Sequence, residues 1–125
     1  MKTSLILSDN ELYGLITLRG EGTSASLQHV IQKICPNTCD TVDVVSSLRE
    51  KRLARLDGQT LTLEPLLNLI VSQACDAISF YEPVQGSYAL ECPNMQLLFT
   101  QYEWNESMWR IEPYKDKKSL LLSLN

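Results

Sequence analysis

Between Thr41 and Ser79 the chain reads helix, short strand, tight turn, short strand, helix. The segment VDVVSSLREK has the apolar spacing of a helix, with Val42, Val45 and Leu48 inward, and Asp40 or Thr41 can cap it. RLARL and QTLTL alternate like strands and flank Asp57-Gly58, a pair that tolerates the positive φ of a hairpin turn. EPLLNLIVSQACDAI then reads as a helix, with Pro65 at its start, where a missing amide costs nothing. A hairpin held between two helices restricts the layouts open to a chain of 125 residues.

Two further helices are expected upstream. Ser8 and Glu11 have the spacing of a capping box, each side chain serving the other residue's free amide. ELYGLITLR follows, with Leu12, Leu15, Ile16 and Leu18 as its apolar set, and Gly20 and Gly22 end it. Gly14 inside this helix costs stability, so close packing is the expected reason for it. Thr23 or Ser24 caps a second helix. Its Leu27, Val30, Ile31 and Ile34 recur at i, i+3, i+4 and i+7, and Pro36 and Asn37 stop it.

After Phe80 the pattern changes. Glu82-Pro83 and Gly86 form a connector, and SYALEC, QLLFTQYEW, MWRIEPY and KSLLLSLN read as short strands. Pro93-Asn94, Trp104 to Ser107 and Lys115 to Lys117 supply the turns. The fold class expected is α+β: one domain, with a winged-helix-like helical part over residues 1–80 and an antiparallel β-meander over 81–125 packed on it. A meander this short does not stand alone and needs the helices or a partner. KSLLLSLN is expected at the sheet edge, where an apolar strand invites pairing with another chain.

Hydrophobic content of 44% and charged content of 21% suit an ordinary globular core. The apolar run in MKTSLIL stops at Ser8-Asp9, too early for a signal peptide. No stretch reaches the roughly 20 apolar residues of a membrane span. The expected location is the cytoplasm, away from the membrane, and the four cysteines are expected as thiols.

The chemistry-bearing residues do not assemble into a catalytic set. Cys35 and Cys39 are spaced Cys-x3-Cys, but a structural zinc site needs four converging ligands, and Cys75 and Cys92 lie in core-like patterns. A redox pair has two intervening residues, not three. His29 is the only histidine and reads as a surface or boundary residue on its helix. There is no nucleophile elbow and no phosphate-cradling glycine loop. Glu103 and Glu106 flank a turn rather than a pocket. No enzyme activity, cofactor or metal is expected.

Two surfaces remain as candidates. Tyr88, Phe99, Tyr102, Trp104, Trp109 and Tyr114 crowd the meander, and an aromatic excess on an open sheet suits a protein-binding face. Arg49, Lys51, Arg52 and Arg55 form the one basic cluster. With two helices ahead of it, the helix–hairpin–helix order is similar to that of a winged helix-turn-helix. In such a fold the cluster would touch DNA phosphates while the third helix enters the major groove. Against this stand the net charge of −4 and the pI near 4.9, the carboxylates Asp40 and Asp43, and a hairpin turn without a basic tip.

The order of ELYGLITLRG, REKRLARLDGQTLTLEPLLNLI and an acidic, aromatic meander also resembles one half of the EspG-like secretion chaperones of type VII (ESX) systems. That resemblance implies a cytosolic chaperone or adaptor that binds a helical protein substrate and holds it soluble before export. Members of the family carry two such halves, so it also implies a homodimer supplying the missing one. It anchors no substrate-binding residue. The expected function is thus a non-catalytic protein-binding module, with a DNA-binding transcription regulator as the alternative.

Overall fold

A computed structural model describes residues 4–19, 22–35, 44–102 and 107–124. In chain order the elements are β1 (Leu5–Ser8), α1 (Asp9–Arg19), α2 (Ala25–Ile34), α3 (Val44–Glu50), β2 (Ala54–Asp57), β3 (Thr60–Leu63), α4 (Pro65–Cys75), β4 (Ser79–Tyr81), β5 (Tyr88–Glu91), β6 (Gln96–Gln101), β7 (Met108–Tyr114) and α5 (Lys117–Ser123). The fold is α+β, as expected. Five antiparallel strands form one sheet in the order β1-β7-β6-β5-β4, while β2 and β3 form a separate ribbon.

Local chemistry sets most of the boundaries. At the start of α1 the capping box is formed: the Ser8 amide donates to Glu11 Oε1 at 2.8 Å and the Glu11 amide to Ser8 Oγ at 3.0 Å. Ser24 caps α2 by accepting from the Leu27 amide at 3.1 Å. Glu64 caps α4 by accepting from the Leu67 amide at 3.0 Å, with Pro65 in the first turn. The residues expected to cap α3, Asp40 and Thr41, lie outside those described. Gly14 faces α3 so closely that an added Cβ would clash with Val44 Cγ2, which explains a glycine inside a helix.

One face of the sheet carries the main core. Leu5, Leu7, Leu90, Leu97, Phe99, Trp109 and Ile111 pack there against Leu12 and Leu15 of α1, Leu27, Val30 and Ile31 of α2, and Leu67, Ile70 and Val71 of α4. On the opposite face a smaller cluster joins Ala89 and Leu98 to Leu120 of α5, with Tyr81, Tyr114 and Leu124 beside them.

Four expectations are corrected. KSLLLSLN is not an edge strand: residues 117–123 form α5, capped by Asp116, whose carboxylate accepts from the Ser119 amide at 2.7 Å. The alternation of Leu120, Leu122 and Leu124 suggests a strand, yet only Leu120 is fully buried. The sheet also gains β1 from the N-terminal segment, paired to β7 with Leu5 opposite Ile111 and Leu7 opposite Trp109. Strand β4 spans Phe80, so the meander shares its sheet with the segment before it. Finally, the hairpin loop is Gly58-Gln59 rather than Asp57-Gly58, because Asp57 pairs with Thr60 across the ribbon. Gly58 has φ +66° and Gln59 does not share the positive φ, the pattern of a II′ turn.

Candidate functional site

The aromatic residues do not lie on one surface. Phe99 and Trp109 are core residues at 2% and 6% exposure. Tyr88 packs against the same core, its ring 6.0 Å from that of Trp109. Tyr114 lies on the other face, beside Leu120. Tyr102 follows β6, with the Arg110 guanidinium 5.6 Å from its ring centre. Trp104 and the carboxylates Glu103 and Glu106 lie outside the described residues. Two layers of helix cover the sheet rather than one, so the aromatic excess is largely absorbed in packing.

Exposed apolar surface appears instead at the β4 end of the sheet. Among the described strands, β4 has a neighbour on one side only. Ile78 immediately before it is 70% exposed, Phe80 within it 42%, and Val84 just after it 47%. His29 of α2, itself exposed, stacks on Phe80 with ring centres 4.2 Å apart. Sequence reasoning misses this group because residues 76–78 continue the apolar pattern of α4. The helix in fact ends at Cys75, with Asp76 as its C-cap. The sequence signal was the sequel: a β-branched and aromatic run, ISFY, stopped by Pro83.

The basic cluster is split. Lys51 turns away from it to Glu11, with Nζ 2.6 Å from Oε1. Glu11 is 3% exposed and also accepts from the Ser47 hydroxyl at 2.7 Å. Burial, the largest influence on this carboxyl, raises its pKa; donation from Lys51, the Ser8 amide and Ser47 outweighs it and holds the group below the ordinary 4.5. Lys51 is therefore a structural partner, and Glu11 is the polar residue that ties α1 to α3.

Arg49, Arg52 and Arg55 remain together. They line a cleft of about 530 Å³ between the end of α3, the β2–β3 ribbon and the start of α4. Arg52 sits at the C′ position of α3 in a Schellman turn: its amide donates to the Arg49 carbonyl at 3.0 Å, and the Leu53 amide to the Leu48 carbonyl at 2.8 Å. That geometry favours glycine. Arg52 adopts it with φ +61°, alone among the described non-glycine residues, at a cost of about 1–2 kcal/mol. Arg55 pairs at the surface with Asp57 at 3.0 Å, while Arg49 and Arg52 have no carboxylate partner among the described residues.

The cysteines differ from expectation in one respect. Cys35 is disulfide-bonded, whereas Cys75 and Cys92 are buried thiols. The thiol expectation for Cys35 rested on compartment and not on geometry, and Cys39 lies outside the described residues. Burial, then the carboxylates of Asp76 and Glu91, push the Cys92 thiol up to about 12, so it is an unreactive core residue. Among the described residues no group of three His, Cys, Asp or Glu side chains is arranged to hold a metal, and no helix is long and apolar enough to cross a membrane. The void under α1, α2 and α4, about 20 Å³ and lined by apolar side chains such as Leu12, Leu27 and Phe99, is a packing seam too small for a ligand.

No family model, curated protein or solved structure matches this chain.

Proposed function

We propose that this protein is a non-catalytic protein-binding module whose contact region is the open β4 end of the sheet. The observation that carries the reading is the trio Ile78, Phe80 and Val84, three large apolar side chains exposed on and around an edge strand. Exposed apolar groups beside unpaired backbone give a partner both burial and strand-type hydrogen bonds. The opposite edge is less available: Lys51 Nζ comes within 3.5 Å of the Ile6 carbonyl on β1. The finer reading, a cytosolic chaperone for a helical type VII secretion substrate acting as a homodimer, rests on the order of elements alone.

The DNA-binding alternative loses support from the same geometry. Lys51 is committed to Glu11, Asp57 stands beside Arg55, and the hairpin tip is Gly58-Gln59. A basic face continuous enough to follow a phosphate backbone is not formed by the remaining arginines.

The test is a photo-crosslinking residue placed at position 78 and, separately, at position 59 in the hairpin loop, in the native cell. A discrete protein adduct from position 78 and none from position 59 is expected. Equal labelling from both, or none from position 78, would reject the β4 end as the contact region.

A further inference from the structure

We propose that the cleft at the end of α3 is a binding site for a small phosphate-bearing molecule. Three arginines line it from different elements: Arg49 from the last turn of α3, Arg52 from the turn after it, and Arg55 from β2. Leu53, Leu63 and Pro65 supply apolar lining between them. The one acid in the lining, Glu64, directs its carboxylate to the Leu67 amide at the start of α4. The lining is therefore net positive, and two of its three arginines have no carboxylate partner among the described residues.

Arg52 is the second, independent observation. Its backbone holds a conformation that glycine adopts freely and arginine does not. A strained residue that lines a cleft points to a function for that residue. The anion follows from the donor set. Several planar forks suit the terminal oxygens of a phosphate group better than the two oxygens of a single carboxylate. The cleft volume of about 530 Å³ is that of a site for one small ligand. A nucleic acid fits less well, because Asp57 flanks the site and the chain carries a net charge of −4.

The experiment is calorimetric titration of the whole chain with pyrophosphate at low ionic strength, repeated with Arg49→Gln and Arg52→Gly. One pyrophosphate per chain is expected, with each substitution weakening binding about tenfold or more, the usual effect of losing a charged hydrogen bond. Arg52→Gly relieves the backbone while removing the guanidinium, so its melting temperature should be no lower than that of the parent. Lost binding then cannot be ascribed to lost folding. Absence of binding at millimolar pyrophosphate, or equal affinity in all three proteins, would overturn the proposal. So would tight binding of duplex DNA that weakens steeply with salt and displaces pyrophosphate, since the arginines would then belong to a nucleic-acid face.

Discussion

Replacing Glu11 with alanine should cost about 3 kcal/mol, more than a typical surface substitution. The carboxylate receives three donors: the Ser8 amide at 2.8 Å, the Ser47 hydroxyl at 2.7 Å and Lys51 Nζ at 2.6 Å. Losing the capping interaction accounts for about 1 kcal/mol. Leaving the partly buried Ser47 hydroxyl without this acceptor adds about 1 kcal/mol. Stranding a fully buried lysine would cost about 3–5 kcal/mol. Lys51 is 34% exposed, however, and can rehydrate, so its share is nearer 1 kcal/mol.

Urea unfolding of the parent, Glu11→Ala, Lys51→Met and the double variant measures these parts. A coupling of about 1 kcal/mol between positions 11 and 51 is expected. The pH dependence provides a separate check. Folding holds the Glu11 carboxyl below 4.5, so its stabilisation is complete above that pH and is lost as the pH falls through the lower folded-state value. The gap between parent and Glu11→Ala should therefore be widest near neutrality and should close in acid. A cost below about 1 kcal/mol at neutral pH, within the range of a simple surface change, would refute the account. A gap that stays constant with pH would refute it equally.

Gly14→Ala should destabilise by about 1–3 kcal/mol through overpacking against Val44, despite the better helix propensity of alanine. Val44→Ala in the same chain should recover part of that loss, as read by denaturant midpoint. Leu120→Ala should lower stability by about 2 kcal/mol or more, because this fully buried side chain anchors α5 to Ala89 and Leu98; a neutral effect on the melting temperature would contradict the α5 packing described. Cys75 and Cys92 should resist iodoacetamide in the native protein at pH 8 and react on unfolding, and rapid native labelling of Cys92 would contradict its burial.

The readable parts of the fold are those with short-range causes. The Ser8–Glu11 box, the stripe on α2, the hairpin glycine and Pro65 each act within a few residues, so their signals lie in the sequence itself. Strand β1 has no such cause. Its four residues are a strand because β7 lies beside them, and that pairing spans nearly the whole chain. In α5 the local evidence misleads: seven residues are too few for helical periodicity to outweigh three leucines in alternation. The Asp116 cap fixes the helix, and Leu121 and Leu122 remain exposed. The candidate site was legible to a similar degree. Arg49, Arg52 and Arg55 stay together because they are neighbours in sequence. The departure of Lys51 was not legible, because Glu11 is its tertiary partner.

The relocation of the sheet edge changes which end of the protein is available to a partner. With KSLLLSLN as a terminal strand, the free edge would lie beside β7. The observed β7 is instead enclosed between β6 and β1, and α5 folds back over the sheet face. The same Lys51 that completes the Glu11 network also approaches the carbonyl of Ile6 on β1. One lysine thus ties α3 to α1 and places charge against the β1 edge, which discourages strand addition there. At the other end β4 has no lysine within it, and it is flanked by exposed Ile78 and Val84. The asymmetry follows from how the core closes. It predicts that Lys51→Met, which leaves β1 without that charge, should promote self-association through β1 that concentration-dependent light scattering would detect. An unchanged monomer–oligomer distribution in this variant would mean that the lysine does not guard the β1 edge.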